Sequence, residues 1–155
     1  MPIPRRFWDS NIVIGYLAGH LSLKAECDQI IEAGKRGELE ILVSTMAEAE
    51  VAYLDGYTDS ESEDLIREFF SRPYVVPAAF DRPVAAAARK LIRLGKAKRL
   101  SLKPPDAIHL ATCEVHHIPI LETSDPDLLR WNEQVGNPPI IIRVPVYEGQ
   151  QRLIT

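Results

Sequence analysis

The sequence predicts a single α/β domain in which a mostly parallel central sheet carries helices on both faces. Short, continuous apolar runs such as ILV at 41–43 and III at 140–142 are typical of strands buried on both sides. These runs alternate with segments whose apolar residues recur at helical spacing. The chain has 155 residues, a length that suits one domain. We expect the domain to span residues 1–147 and residues 148–155 to form a C-terminal tail.

The first half of the chain predicts two strands and four helices. The strands are 5–9 and 39–44, and the helices are 11–19, 23–37, 44–56 and 60–71. Gly37 ends the second helix, and acids in the first turn of the fourth favour its start. For 44–56, Ser44 supplies a cap and Ala47, Val51 and Leu54 share one face.

The second half predicts three more strands and three more helices. The strands are 74–80, 118–123 and 138–146, and the helices are 82–95, 104–117 and 125–132. Each of these helices has a proline near its start, where the missing N–H costs nothing. Strands and helices therefore alternate to the end of the predicted domain.

Composition limits the class of protein. The chain is 46% hydrophobic and 26% charged, with a net charge of −4, which is ordinary for a globular domain. No apolar run approaches the ~18 residues of a membrane span, and the start lacks a signal-peptide core. Cys27 and Cys113 form no CxxC pair and are expected to be reduced thiols. We therefore expect a cytoplasmic protein that does not enter a membrane.

A group of cations interrupts this acidic chain between residues 89 and 103, a stretch that contains no acid. Its candidate RNA contacts, called here the basic stripe, are Arg89, Arg93, Lys96, Lys98, Arg99 and Lys103. Such a stripe can guide a phosphate backbone. Judged alone, it is explained slightly better as the solvated face of a helix and its exit loop.

Acids fall at several predicted strand ends and helix starts. Asp9 ends the first strand, Glu50 lies in the helix after the second, Asp125 follows the fourth, and Asp106 opens the helix before it. Taken singly, each is better explained as a cap or a surface acid. Together they meet at the edge where sites form in open parallel sheets. Four carboxylates there need a cation, and Mg²⁺ or Mn²⁺ suits such oxygen ligands and acts on phosphates.

Four segments resemble the motifs of PIN-domain ribonucleases, whose largest group is the toxins of VapBC-type toxin–antitoxin pairs. They are FWDSNIVIGYL, VSTMAEAEV, PPDAIHLATC and ETSDPDLL, and they cover about residues 6–130 in the family's order. The resemblance implies a Mg²⁺ or Mn²⁺ site that hydrolyses RNA, leaving a 5′-phosphate and a 3′-hydroxyl. It assigns the catalytic and metal-binding roles to Asp9, Glu50, Asp106 and Asp125.

The resemblance also assigns supporting roles. Glu48 and Glu50 are about 200° apart around a helix, so only one can face the site. The spacing from Ser44 in the family selects Glu50. Thr123 resembles a residue that positions water or metal, and Asn11 resembles a polar residue that orients the site. Asp127 is a weaker additional candidate, while His109 is expected to be a core residue.

The family implies two protein partners, an antitoxin that covers the site and a second copy of the chain in a homodimer. The motif MAEAE and the residues after 138 depart from the common pattern, which leaves the RNA target and the partner open. One rival hypothesis is a catalytically silent module that binds RNA or protein. Another is a phosphoacceptor domain, although no lysine follows the late strand. Dependence on metal discriminates among the three.

Overall fold

The computed structural model describes residues 2–149 and places five parallel strands in one sheet, in the order β3-β2-β1-β4-β5. The strands are β1 Arg5–Trp8, β2 Glu40–Ser44, β3 Val75–Ala78, β4 Ile120–Glu122 and β5 Ile141–Arg143. The helices are α1 Ser10–Ala18, α2 Leu21–Lys35, α3 Thr45–Glu50, α4 Asp59–Phe70, α5 Arg82–Lys98, α6 Pro104–Val115 and α7 Pro126–Leu129. The predicted α/β class and the parallel sheet are confirmed.

The central strand β1 divides the core between the two faces of the sheet. Phe7 pairs with Leu42 on β2 and with Leu121 on β4, and all three belong to the cluster that packs on α5, α6 and α7. Trp8, the next residue, belongs to the opposite cluster with residues of α1, α2 and α4. This change of face follows from the two-residue period of a strand. Helices therefore cover both faces of the sheet, as predicted.

Side-chain caps stand at most helix starts, and Ser44 caps α3 as the sequence predicts. Thr58 and Glu61 form a reciprocal capping box at α4, and Asp81 accepts from the Val84 N–H at the start of α5. Helix α5 continues to Lys98, beyond the predicted end at residue 95, and it ends at Arg99 in a left-handed conformation.

The predicted helix 44–56 is wrong in its extent. The observed α3 has six residues and ends at Glu50, and Val51 leaves the helical conformation with a ψ of 78°. The chain then turns so that Val51 and Leu54 enter the core cluster beside α4. The helix ends early because the chain must turn to bury these two side chains against α4. Tertiary packing here outweighs the local helix propensity.

The segment after β5 lies along the protein. The Val146 N–H donates to Glu122 at 3.2 Å, the Tyr147 N–H donates to Glu26 at 2.7 Å, and Arg143 pairs with Glu148 at 2.6 Å. Most of the predicted tail, residues 150–155, lies outside the described part, so the boundary at 147 stays a prediction. Within residues 2–149 no helix is long and apolar enough to cross a membrane.

Candidate acidic active site

The site lies where the order of the strands reverses. β1 leads through β2 to β3 on one side, and β4 and β5 lie on the other side of β1. Ligands bind at such a point, beyond the carboxyl ends of the strands. Asp9 follows β1 and Thr123 follows β4, and the Asp9 N–H donates to the Glu122 carbonyl at 3.4 Å. The sheet thus brings together two residues that are far apart in sequence.

Asp9 is the most enclosed carboxylate of the site, with 2% of its surface exposed. It caps α1 by accepting from the Ile12 N–H at Oδ1, 3.0 Å away, and its Oδ2 accepts from the Thr123 hydroxyl. Burial raises the pKa of Asp9, and Asp125 adds a smaller repulsion in the same direction. The hydrogen bonds from Thr123 and Ile12 oppose that rise and hold the carboxyl group in place.

Asp106 and Asp125 complete a group of three neighbouring aspartates. Asp125 caps α7, and its own N–H donates to Thr123 Oγ1 at 3.0 Å. Asp106 lies in the first turn of α6 and is partly buried. Burial, then repulsion by Asp125 and the hydrogen bond that protonated Asp106 donates to it, raise the pKa of Asp106 to about 6, and Asp9 adds to the rise. The three side chains therefore act on one another, as the sequence predicts for acids at one edge.

Glu50, the last residue of α3, contacts Ser10 and His109 and forms no hydrogen bond with the three aspartates among residues 2–149. Its Oε1 accepts from the Ser10 hydroxyl, and His109 Nε2 lies 3.1 Å from the same oxygen. The hydrogen bond from His109 is the main reason that the pKa of Glu50 is lowered. The exposed Glu48, by contrast, lies along a groove between α3 and α4.

The sequence did not predict the contacts that Ser10 and His109 make with Glu50. The structure buries His109, as predicted for a core residue, but also joins it to Glu50. The spacing holds a signal, since His109 follows Asp106 by three residues and such residues share a helix face. Ser10 has no comparable signal, because its partner Glu50 is 40 residues away.

The side chains of the other supporting candidates form no hydrogen bond with the three aspartates among residues 2–149. Ser44 caps α3, accepting from the Met46 N–H at 3.1 Å. Asp127 forms an exposed ion pair with Arg130 at 2.7 Å. Asn11 is exposed in the first turn of α1, and its side chain forms no hydrogen bond within residues 2–149. Among the four supporting candidates, Thr123 contacts Asp9 through its side chain, and the Asp127 backbone N–H donates to Asp125 Oδ1 at 2.9 Å.

The donor chemistry of the aspartates fits a hard divalent cation. All their ligand atoms are carboxylate oxygens, which Mg²⁺ and Mn²⁺ prefer. Burial and repulsion by Asp125 raise the pKa of Asp106, and a bound cation would offset the repulsion between the carboxylates. As the side chains stand, no three His, Cys, Asp or Glu residues in the described chain converge into a complete metal-binding group.

The basic stripe is exposed along its length. It runs from α5 through Arg99, which ends that helix, to Lys103, which precedes α6. Lys98 donates to Gln134 at 3.2 Å, and no member of the stripe pairs with an acid among residues 2–149. Its charges are therefore not neutralised by described acidic residues, and Lys103 lies three residues before Asp106.

Solved structures with this fold include several toxin–antitoxin complexes. VapBC2 from Rickettsia felis, bound to a promoter DNA fragment, matches with a TM-score of 0.67 and 15% identity, over 90% of this chain and 96% of that chain. DNA-bound VapBC from Salmonella typhimurium matches with a TM-score of 0.65 and 14% identity, over 90% and 97%. A toxin–antitoxin complex from Klebsiella pneumoniae is 25% identical, with a TM-score of 0.58, over 80% and 89%.

Sequence comparison identifies the family directly. Among curated proteins, none matches this sequence significantly. The family profile described as the PIN domain matches residues 6–133, which include Asp9, Glu50, Asp106 and Asp125. This range agrees with the one over which the four sequence motifs resemble the family. The chain therefore belongs to the PIN-domain family.

Proposed function

We propose that the protein is a Mg²⁺- or Mn²⁺-dependent endoribonuclease and the toxin of a VapBC-type pair. The observation that carries this proposal is the group formed by Asp9, Asp106 and Asp125 at the reversal of strand order. Burial, and then repulsion by the neighbouring Asp125, raise the pKa of Asp106 to about 6, and perturbed carboxyl groups of this kind are typical of functional sites.

Each acid has a defined part in this proposal. Asp9, Asp106 and Asp125, with Glu50, would hold the cation, which supplies a water of lowered pKa and neutralises charge on the scissile phosphate. Thr123 keeps the Asp9 carboxyl group fixed and supports the loop that carries Asp125. Water attacks the phosphorus atom in line, and the 3′-oxygen leaves, so the products carry a 5′-phosphate and a 3′-hydroxyl.

The proposed substrate is single-stranded RNA, since an open edge of the sheet admits a strand whose bases are unpaired. The basic stripe would bind the phosphates that flank the cleaved bond, and the supporting observation is that none of its members pairs with a described acid. The proposal places the protein in the cytoplasm, where its RNA substrates lie.

Protein partners are proposed by analogy with the toxin–antitoxin complexes that share the fold. An antitoxin segment would cover the acidic site, and two copies of the chain would form a homodimer. The described surface has exposed apolar side chains available for such contacts, among them Leu21, which is 88% exposed, and Tyr53, which is 74% exposed.

A catalytically silent binding module is the alternative. The observation that favours it is that the site's carboxyl groups do not converge into a complete metal-binding group in the described chain. The two functions differ in turnover, because a binding module retains RNA or protein without metal and releases no product.

The proposed function is tested by incubating partner-free protein with an end-labelled RNA pool in Mg²⁺, in Mn²⁺ and in EDTA. We expect cleavage only with metal, and products with a 5′-phosphate. Cleavage in EDTA that yields 2′,3′-cyclic phosphates would contradict a metal-activated water. Binding of the RNA by a folded, metal-supplied protein that releases no product would favour the silent module.

A further inference from the structure

A buried histidine lies between the acidic site and Glu50. His109 is 1% exposed, and its Nε2 lies 3.1 Å from Glu50 Oε1 and 3.2 Å from Ser10 Oγ. The Ser10 hydroxyl donates to the same carboxylate oxygen. Two side chains, one from α1 and one from α6, therefore meet at one carboxylate oxygen of Glu50 on α3.

The chemistry of the three groups fixes the direction of their hydrogen bonds. An ionised carboxylate only accepts, so the Ser10 O–H and the His109 Nε2–H must both point at Glu50. His109 Nδ1 has no hydrogen-bond partner within residues 2–149. An Nδ1–H there would be a buried donor without an acceptor among the described residues, so the geometry favours Nε2 as the ring atom that donates to Glu50.

The hydrogen bonds from Ser10 and His109 matter for Glu50 because its own short helix constrains the side chain only weakly. It ends α3, which has only six residues, and the chain leaves the helical conformation at Val51. Its side chain is 30% exposed, whereas that of His109 is 2% exposed, so the buried ring is the fixed partner. Glu50 Oε2 has no hydrogen-bond partner among the described residues and stays available to a ligand.

We propose that His109 and Ser10 are positioning residues, which hold Glu50 by one oxygen so that the other serves the site as a fourth carboxylate donor. This inference rests on the proposed function. A purely structural role for His109 is the competing explanation, since its ring also contacts Phe7 with the ring centroids 5.5 Å apart. If His109 is a positioning residue, its replacement changes Mn²⁺ affinity only while Glu50 is present. If its role is purely structural, the effect does not depend on Glu50.

A double-mutant cycle of His109 and Glu50 distinguishes the positioning role from the structural role. Mn²⁺ affinity is measured by calorimetry on folded, partner-free protein. His109→Phe keeps a ring against Phe7 and removes the Nε2–H. We expect His109→Phe and Glu50→Gln each to weaken Mn²⁺ binding by about 10- to 100-fold, the range for residues that orient metal ligands. The double variant should bind no more weakly than Glu50→Gln alone. Losses that multiply independently would overturn the proposal.

Two further variants sharpen the cycle. His109→Gln offers an amide N–H near the Nε2 position and should recover part of the affinity that His109→Phe loses. His116→Phe, at the end of the same helix, is the matched control and should leave Mn²⁺ affinity unchanged. Equal losses in His109→Gln and His109→Phe would favour a packing role and count against the proposal. Should His109→Phe fail to fold, Ser10→Ala replaces it in the cycle with the same expectation.

A second measurement needs neither metal nor RNA. In the ¹⁵N spectrum of histidine-labelled, metal-free protein, His109 is expected as the Nε2–H tautomer, assigned by its loss in His109→Gln. Its resonances should move in Glu50→Gln and in Ser10→Ala. An Nδ1–H tautomer, or resonances that ignore Glu50→Gln, would overturn the proposal. Wild-type protein that neither binds Mn²⁺ nor cleaves RNA would contradict the proposed function, while this spectrum would still decide the positioning of Glu50.

Discussion

The Thr123 hydroxyl donates a hydrogen bond to Asp9 Oδ2 and so joins the carboxyl ends of β1 and β4. Both residues are almost fully enclosed, with Thr123 at 0% and Asp9 at 2% exposure. The same hydroxyl oxygen accepts from the Asp125 N–H at 3.0 Å. One side chain therefore orients two of the three aspartates on which the proposed cation site depends.

Replacing this hydroxyl should lower stability. Thr123→Val keeps the shape of the side chain but removes the donor to Asp9 and the acceptor for the Asp125 N–H. We expect the free energy of unfolding to fall by about 2 kcal/mol at pH 7, the usual effect of losing a hydrogen bond to a charged group. Thr123→Ser retains the hydroxyl and is the control, measured in parallel by urea unfolding. Equal losses in the two variants would show that the hydroxyl is not the cause.

The raised pKa of Asp106 predicts a pH-dependent effect of its removal. The pKa of Asp106 is about 6 in the folded protein, whereas the ordinary value is 3.8. Between these two pH values the folded state binds more protons than the unfolded state, so this group lowers the stability of the fold as the pH rises from about 4 to about 6. Asp106→Asn removes the charge and should raise the stability of metal-free protein by about 1 kcal/mol at pH 8, allowing for partial exposure.

The matched comparison for Asp106→Asn is Asp127→Asn, which changes an exposed ion pair with Arg130. That variant should alter stability by less than about 0.5 kcal/mol. At pH 4 the advantage of Asp106→Asn should disappear, because the wild-type carboxyl group is then largely protonated. Thermal unfolding at pH 4, 6 and 8 checks both variants, and an advantage of Asp106→Asn that is the same at all three values would contradict the assigned cause.

Removing the buried carboxylate of Glu122 should greatly lower the stability of the protein. Glu122 is 0% exposed and accepts from Arg6 at 3.1 Å and from the Trp8 indole N–H at 2.9 Å. Glu122→Ala would leave both donors buried without this partner, which should cost about 3–5 kcal/mol. Glu38→Ala, which breaks the exposed pair with Arg36, should change stability far less than Glu122→Ala. Chemical unfolding of both variants tests this, and similar losses would contradict it.

The basic stripe predicts a change in the salt dependence of RNA binding. Neutralising Arg89, Arg93 and Lys96 with glutamine should reduce the slope of log affinity against log salt by about 2, since each phosphate neutralised on single-stranded RNA adds roughly 0.7 to that slope. The measurement is fluorescence anisotropy in an Asp106→Asn background, which keeps the RNA intact. Lys24→Gln with Lys35→Gln, on α2, is the control and should leave the slope unchanged. A slope that falls equally in both sets would rule out a specific contact surface.

The sequence predicted the order of strands and helices because parallel strands and amphipathic helices leave clear local patterns. The same patterns placed Asp9 and Asp125 at one edge, since the carboxyl ends of parallel strands meet there. The patterns failed where tertiary packing decides the conformation. Burial of Val51 and Leu54 against α4 ended α3 early, and the contact of Ser10 with Glu50 depends on how α1 and α3 approach each other.

The central claim is that Asp9, Asp106 and Asp125 form one site for a divalent cation, and a Mn²⁺ binding isotherm tests it most directly. The wild type, Asp106→Asn and Asp127→Asn are titrated at pH 8, with folding checked by circular dichroism. We expect saturable binding by the wild type and by Asp127→Asn, and a loss of at least about tenfold in Asp106→Asn. Equal affinity in all three proteins, or no binding by the folded wild type, would contradict the claim.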